Sequence, residues 1–238
     1  MIREQKYLEC EKRWIFALLI AVAGFYGGYT LSVRGGVFCN GQTGNIALFG
    51  VALGSGDLKR AAYYLVPIGA YLLGIMVSET IPRHVRCFRL RWDTVLTLIE
   101  ILVVVVIGFI PATAPHQICQ ITINFICAMQ YNTFRQAEGV PMATTFCVNH
   151  LRVAGIALSR KLLKKTDRYP QSGEQLQAHG LMIGCFVLGA VAAGGLSLLL
   201  GVRAIWCALL PLTVLAVDLL RADLVTEKDL LKRTPGGH

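Results

Sequence analysis

The chain has 238 residues, of which 55% are hydrophobic and only 16% are charged, and its formal net charge is +9. Soluble domains have about a quarter of their residues charged, so this composition excludes an ordinary soluble protein. It predicts an all-α integral membrane protein, whose first partner is the lipid bilayer. The basic residues cluster in short loops between apolar runs, at 83–91 and 160–168. Such clusters are typical of cytoplasmic loops, so we expect no nucleic acid as a partner.

Eight apolar segments follow one another along the chain. Most have the length that a helix needs to cross a bilayer, about 20 residues, but the second and the sixth are short and begin with polar residues. A short apolar stretch of this kind is typical of a re-entrant element, which enters and leaves the membrane on one side. The eight segments are 14–33, 36–54, 61–81, 93–111, 117–134, 143–159, 177–200 and 203–221.

The positions of the basic residues decide between eight crossings and six. If all eight segments crossed the membrane, basic residues would lie outside whichever way the chain inserted. If the second and sixth segments are re-entrant, both basic clusters and both termini lie in the cytoplasm, and the uncharged loop at 111–115 lies outside. The sequence therefore predicts about six transmembrane helices plus two re-entrant half-helices. The basic residues then left outside are Arg34, Lys59, Arg60 and Arg203.

The order of segments also predicts an internal repeat. A span, a half-helix and two further spans occur twice, and each half has an odd number of crossings, so the second half runs in the opposite direction. Aligning residues 45–53 with 150–158 pairs identical Gly, Ala and Leu residues, which is weak support from the sequence itself. We therefore expect an inverted-topology repeat with units 1–112 and 113–222, followed by a cytoplasmic tail at 223–238.

Polar and glycine- or threonine-rich sequence precedes each of the two short segments. Non-helical backbone cannot face lipid, because each unpaired amide or carbonyl group costs several kcal/mol there. We therefore expect both stretches to lie inside the protein. The first half-helix is expected to begin near Thr43, and the second to follow a break at Pro141 with Thr144 or Thr145 as its cap.

Half-helices of an inverted repeat point their N-termini toward each other near the middle of the membrane. Their free N–H groups and positive dipole ends favour an anion or a hydrogen-bond acceptor. We predict a site there for a small-molecule solute; the alternative is that these polar residues only cap and pack two short helices. The predicted substrate-binding residues are Asn40, Gln42, Thr43, Gly44, Asn45, Thr144, Thr145, Asn149, His150 and Arg152.

Two charged residues at membrane depth are candidates for functional roles. Glu100 lies in the middle of the fourth apolar segment, where a carboxyl group is either hydrogen-bonded to a neighbour or part of a proton pathway. It is therefore a candidate for proton coupling. Arg152 would strengthen an anion site, although it could instead pair with Glu138 or extend to the membrane surface.

The sequence carries no signature of a catalytic, metal or cofactor site. The 8 cysteines occur singly, without a Cys-x-x-Cys pair, which predicts neither a disulfide framework nor a structural zinc site. Nucleophile-elbow, zinc-protease, phosphate-loop and dinucleotide-binding motifs are missing. We expect no catalytic residues, no metal and no cofactor, and hence no enzyme; an intramembrane enzyme using His150, Cys147 or Thr43 is the least favoured alternative.

Residues 34–57, RGGVFCNGQTGNIALFGVALGSGD, and 128–155, AMQYNTFRQAEGVPMATTFCVNHLRVAG, resemble the YoaK-like family of bacterial multi-pass membrane proteins, a domain of unknown function. The resemblance covers nearly the whole chain. It implies a protein of the bacterial cytoplasmic (inner) membrane and brings no established substrate. Two departures from the family pattern lie in the predicted site: residues 148–150 are Val-Asn-His where the family has Thr-Gly-Asn, and Gly27 stands where the first span commonly has Asp.

Together these features predict a small-solute transporter that works by alternating access. The alternatives are an ion or small-solute channel and a membrane sensor or scaffold without flux. Two glycine pairs with Gly-x-x-x-Gly spacing, Gly24/Gly28 and Gly180/Gly184, favour close helix packing, either within the bundle or as the face of a homodimer.

Overall fold

The computed structural model describes residues 7–84, 90–163 and 168–237, without the side chains of 82–84, and shows an all-α protein. Of the two basic loop clusters, Arg86, Arg89, Lys164 and Lys165 lie outside the described residues. The α-helices are α1 Arg13–Val33, α2 Gln42–Gly54, α3 Leu58–His84, α4 Trp92–Phe109, α5 His116–Thr133, α6 Val148–Leu162, α7 Ser172–Leu200 and α8 Leu209–Arg221. Short 3-10 helices cover Glu9–Glu11, Gly201–Ala208 and Lys228–Leu230, a π-helix covers Ala222–Thr226, and the strands β1 Gln136–Ala137 and β2 Val140–Pro141 form an antiparallel hairpin.

In the described part of the chain, 4 helical stretches are long and apolar enough to cross a membrane. The last of them runs for 55 residues through α7, the 3-10 segment and α8. That length exceeds the roughly 20 residues that one crossing needs. Within this stretch, α7 gives way to the 3-10 helix at Gly201, whose φ of 56° is a conformation that favours glycine. The 4 stretches are Arg13–Val33, Leu58–Ile81, Trp92–Phe109 and Ser172–Thr226.

Helix α5 corresponds to a predicted span but is less apolar than the stretches above. Its amide side chains lower its hydropathy, and the three in its middle are buried at 0–2% exposure: Gln120, Asn124 and Gln130. These positions share one helical face with the buried thiol of Cys127. The helix therefore turns a polar face toward the protein interior and leaves Ile118 exposed on its outer side.

Helix packing follows a regular scheme. The most extensive contacts pair α1 with α7 and α3 with α5, and each short helix packs on the helix that follows it, α2 on α3 and α6 on α7. Helix α4 packs on α8, and smaller contacts join α4 to α5 and α8 to α1. The same set of pairs results when the helices of the two halves are exchanged, α1 with α5, α2 with α6, α3 with α7 and α4 with α8.

The α1–α7 contact depends on glycine. A side chain at Gly24 would overlap the Phe186 carbonyl, one at Gly28 would lie 2.8 Å from the Ala190 carbonyl oxygen, and one at Gly189 would overlap the Ala21 carbonyl. The Gly24/Gly28 pair therefore serves packing within the chain. A Cβ at Gly180 or Gly184 would meet nothing within 4 Å among the described residues, so the homodimer prediction rests on that second pair.

Substituting Gly189 by Ala is expected to lower the free energy of unfolding by about 1–3 kcal/mol, because the added methyl group must push two backbones apart. Gly194→Ala on the same helix is the matched control, since a Cβ there meets open space and alanine favours helix. Thermal unfolding of both variants in detergent measures the difference. Equal midpoints for the two variants would contradict the close contact.

Two buried arginines hold the ends of α4. Arg34, which the predicted topology places on the outer side of the membrane, has a fully buried side chain, and its guanidinium donates to the carbonyl oxygens of Ile110 at 2.6 Å and Pro111 at 3.1 Å. These carbonyls follow the last turn of α4, where backbone acceptors have no intrahelical partner. Arg91, directly before α4, forms buried ion pairs with Asp223 and Glu227 of the C-terminal segment.

Candidate functional site

The first short helix, α2, begins at Gln42, one residue before the predicted start. The preceding Gly35 and Gly36 have φ values of 84° and 70°, which let the chain leave α1 and turn back into the protein. Asn40 is buried, and its Nδ2 donates to the Ala23 carbonyl of α1 at 2.6 Å. Its Oδ1 lies 3.6 Å from the Cys127 Sγ of α5. Asn40 therefore fixes the break in the chain between two long helices.

The polar residues of α2 divide between two faces. Gln42 donates through Nε2 to the side chain of Asn124 on α5 and to the Cys39 carbonyl at 3.1 Å. Its Oε1 accepts from the buried Asn45 at 3.2 Å. Thr43 is exposed, as is the neighbouring Gly44. The structure thus brings Asn40, Gln42 and Asn45 together and places Thr43 and Gly44 elsewhere.

The predicted threonine cap of the second short helix is wrong. Helix α6 begins at Val148, and its capping residue is Cys147, which makes no side-chain cap hydrogen bond to the described residues. Residues 138–139 form the turn of the β-hairpin, with φ values of 49° at Glu138 and 81° at Gly139, and the hairpin delays the start of the helix. Thr144 and Thr145 lie in the segment before α6, fully buried. They therefore face the interior, and the backbone carbonyl of Thr144 accepts from Gln130 Nε2 at 3.2 Å.

Helix α6 also separates its predicted site residues. His150 is fully buried, whereas Arg152 is exposed and donates to Asn149 Oδ1 at 3.1 Å. The alternative partner of Arg152, Glu138, instead pairs with Arg13 at 2.8 Å. Arg152 therefore lies on the outer face with the half-buried Asn149, away from His150.

His150 has a partner that the sequence analysis missed. Its Nδ1 lies 2.8 Å from the Nδ1 of His179 on α7, and its Nε2 lies 2.7 Å from the Ala143 carbonyl oxygen. Both imidazole rings are buried, at 0% and 1% exposure. The two histidines are 29 residues apart, and no spacing pattern links them, so only the α6–α7 contact reveals the pair.

The buried face of α5 joins the two short helices. Asn124 contacts Gln42 of α2, Cys127 contacts Asn40, and Gln130 contacts the segment before α6. The spacing of three residues places these side chains in a row along one helical face. An amide or a cysteine at every third or fourth position of an apolar run, Gln120, Asn124, Cys127 and Gln130, was the available signal for this row.

Several polar atoms around this row have no hydrogen-bond partner among the described residues, although they are buried. Most buried polar groups in folded proteins are hydrogen-bonded, and one without a partner costs about 1–3 kcal/mol. The unpaired atoms are the Tyr26 hydroxyl, both Glu100 carboxyl oxygens, Asn124 Nδ2, Gln130 Oε1 and the Thr144 hydroxyl. They come from α1, α4, α5 and the segment before α6, and they offer both donors and acceptors.

Glu100 is the charged group of this cluster. Its side chain is 1% exposed, and it interacts electrostatically with Tyr26 of α1 and Cys127 of α5. Within the described residues, no cationic side chain compensates its carboxyl group. Glu100 therefore adds an uncompensated acid to the unpaired polar atoms.

Gly27, one of the two departures from the family pattern, has a steric role. A Cβ at this position would lie 2.5 Å from the Phe38 ring. The ring of Phe38 in turn packs edge-on against Phe186 of α7, with the centroids 6.4 Å apart. Gly27 and Phe38 are therefore matched, and an acidic side chain at position 27 would need a different residue at 38.

The fold and this cluster define a class: all-α proteins with helices long and apolar enough to span a membrane and a buried polar centre beside two short helices. A sequence comparison assigns the chain more narrowly, because the profile of the family described as "Protein of unknown function (DUF1275)" matches residues 15–217. The chain belongs to this family, which confirms the resemblance to YoaK-like proteins. Searches of curated proteins and of solved structures gave no match.

Proposed function

We propose that this protein is a small-solute transporter of the bacterial cytoplasmic membrane that works by alternating access. The solute binds between the short helices α2 and α6, against the buried face of α5. The observation that carries the proposal is the concentration of buried polar atoms without hydrogen-bond partners, Tyr26, Glu100, Asn124, Gln130 and Thr144, in the described part of the chain. Polar groups at membrane depth are costly and are retained at solute and ion pathways.

The proposed topology has six spans, α1, α3, α4, α5, α7 and α8, with α2 and α6 re-entrant and both termini in the cytoplasm. The packing scheme supports an inverted repeat with units 1–112 and 113–222, because the same helix pairs recur when the chain is shifted by four helices. Transporters built in this way bind their solutes near the bilayer midplane, between interrupted helices. Their two repeats then provide the two parts that rock about the site.

The chemistry of the cluster favours a small solute that is anionic or rich in hydrogen-bond acceptors. Asn124 Nδ2 and the hydroxyl groups of Tyr26 and Thr144 are unpaired donors in the described structure, and the first turns of α2 and α6 add backbone N–H groups. An ionised Glu100 would repel an anion or a hydrogen-bond acceptor, so the site can bind such a solute only when the carboxyl group of Glu100 is protonated. We therefore propose that a proton on Glu100 moves together with the solute.

Three features favour this proposal over its alternatives. The cluster side chains are nearly inaccessible, at 0–1% exposure for Tyr26, Glu100, Asn124 and Thr144, as expected for an occluded carrier rather than an open channel. Unpaired donors would serve no purpose in a scaffold. An intramembrane enzyme using His150 would need a free ring nitrogen to activate a nucleophile, yet His179 and Ala143 engage both.

Thermal unfolding of the detergent-purified protein against inorganic anions, carboxylates, nucleobases and cations tests the proposal. A solute that binds only the folded state stabilises it by about 2.7 kcal/mol at a hundred times its dissociation constant. We expect an anion or acceptor-rich solute to raise the midpoint of the wild type. Thr144→Val should abolish this shift without lowering basal stability, because the hydroxyl that it removes has no partner in the described structure.

Thr122→Val is the matched control, since Thr122 is half-buried on α5 and its hydroxyl donates to the Ile118 carbonyl of its own helix, at 2.7 Å. It should leave the solute-dependent shift intact. Saturable uptake and counterflow in proteoliposomes then separate a carrier from a channel. If no solute stabilises the wild type, or if Thr144→Val retains the full shift, the proposed site is wrong.

A further inference from the structure

The hydrogen bonds of the buried histidine pair determine where its hydrogens lie. The Ala143 carbonyl can only accept, so His150 Nε2 carries the hydrogen of its ring and donates it. His150 Nδ1 is then an acceptor, and His179 must donate through its own Nδ1 across the 2.8 Å contact. Of the four ring nitrogens, only Nε2 of His179 then has a lone pair that can accept a proton.

The same geometry limits the pair to one additional proton. Two ring nitrogens 2.8 Å apart cannot both carry hydrogens pointing at each other. A proton added at Nε2 of His179 makes that ring an imidazolium, whose Nδ1–H then donates a charge-assisted bond to neutral His150. The direct contact also leaves no space for a metal ion between the two nitrogens.

We propose that His150 and His179 form a binding site for a single proton, taken from water by the lone pair of His179 Nε2 and stabilised by His150. The pair joins α6 to α7, so the proton charges the contact between a short helix and the long helix on which it packs. The role of this proton in transport, as a second coupled proton beside the one on Glu100, rests on the proposed function; the capacity of the pair for one proton does not.

A polar cavity of about 500 Å³ lies next to the pair. Ala178, the neighbour of His179, lines this cavity together with Glu138 and Glu174. Arg13 crosses the cavity with an ion pair to each of these two carboxylates. On its other side, the pair bonds Ala143, directly before the buried Thr144. The histidines therefore lie between a polar cavity and the proposed solute site.

Among the described residues, no other ionisable group on the packed elements interacts electrostatically with the pair. His179 interacts electrostatically with His150, and neither ring has a charged neighbour among the described residues. The exposed Arg152 of α6 points away and bonds Asn149. The ionisable side chains on the elements around the pair are Arg13, Tyr26 and Tyr29 of α1, Glu138 of the hairpin, Cys147, Arg152, Arg160 and Lys161 of α6 and its cap, Glu174 and Cys185 of α7, and Arg203 and Cys207 of the following 3-10 helix.

Counting protons tests the site directly. The full-length protein in detergent is titrated potentiometrically from alkaline to acidic pH within the range where its circular dichroism shows it folded. The double variant His150→Gln/His179→Gln is expected to bind one proton fewer than the wild type. His116→Gln, at the exposed start of α5, is the control for substituting a histidine outside the pair. A difference of two protons for the double variant would mean two independent histidines, and a difference of zero would mean an inert pair; either would overturn the proposal.

A second measurement tests coupling with stated probes. Proteoliposomes loaded with a pH-sensitive dye receive inward gradients of nitrate, sulfate or phosphate with the membrane potential clamped. The wild type is expected to acidify the lumen with at least one of these anions, and His150→Gln/His179→Gln is expected to move one proton fewer per anion, because Glu100 still carries its own. An unchanged number of protons per anion in the variant would overturn the coupling role. If neither protein acidifies the lumen, the proposed anion transport fails, while the proton count still decides the site.

Discussion

Glu100→Leu is expected to raise the free energy of unfolding by about 1–3 kcal/mol, because it removes a buried carboxyl group whose oxygens have no hydrogen-bond partner in the described structure. For a chain of this size, each kcal/mol corresponds to roughly 2–4 °C in the unfolding midpoint. The same substitution is expected to abolish transport. A gain in stability with a loss of activity is typical of a group retained for function.

Glu100→Gln separates the charge from the shape of the side chain. If Glu100 carries the coupled proton, the variant should lose the pH dependence of solute uptake in proteoliposomes. Asp229→Asn changes an exposed acid of the tail and should alter neither stability nor uptake. Transport by Glu100→Gln with unchanged pH dependence would exclude proton coupling through Glu100, and a lower unfolding midpoint for Glu100→Leu would mean that the carboxyl group has a stabilising partner.

Arg91→Leu should cause the largest loss of stability, about 3–5 kcal/mol, because it leaves two buried carboxylates without their cation. Asp223 and Glu227 are each 1% exposed. Asp223 Oδ2 also accepts from the backbone N–H of Arg91 at 2.8 Å and from the Thr94 hydroxyl at 2.6 Å. These remaining bonds hold the carboxylate in place but do not neutralise it.

The pH dependence of this loss has a definite sign. Arg91→Leu leaves uncompensated negative charge buried in the folded chain, and lowering the pH neutralises carboxylates, so folding of the variant becomes more favourable relative to the wild type as the pH falls. Thermal unfolding in detergent should therefore show a deficit for Arg91→Leu that shrinks from neutral to acidic pH. Glu227→Gln added to Arg91→Leu should recover part of the stability, and Lys228→Ala, on the exposed side of the tail, should have little effect. A deficit independent of pH would contradict the ion-pair explanation.

The helices were largely predictable from the sequence because hydropathy and length determine where a chain can cross a bilayer. Helix α1 was expected at 14–33 and is found at Arg13–Val33, and α2 begins within one residue of the predicted start. The start of α6 was not predictable in the same way. It depends on a hairpin turn and on a bond from Gln130 to the Thr144 carbonyl, both of which require the packed structure.

The residues of the candidate site were also predictable only in part. Asn40, Gln42, Asn45 and His150 were identifiable because polar residues cluster beside glycine or proline in apolar sequence. Tyr26, Asn124, Gln130 and His179 are single polar residues within long helices, where local pattern cannot separate packing from function. Their convergence depends on helix contacts between distant parts of the chain, such as the one between Gln42 and Asn124, 82 residues apart.

The polar face of α5 has a consequence for how the protein enters its membrane. Amide groups in lipid have no water to bond, so a helix with three amides on its inner face, Gln120, Asn124 and Gln130, inserts poorly by itself. Its main partner is α3, which is more apolar and precedes it in the chain, so that synthesis delivers the partner first. We expect α5 to leave the translocon together with α3 and α2. The order of the helices in the chain would then determine the order in which they enter the membrane.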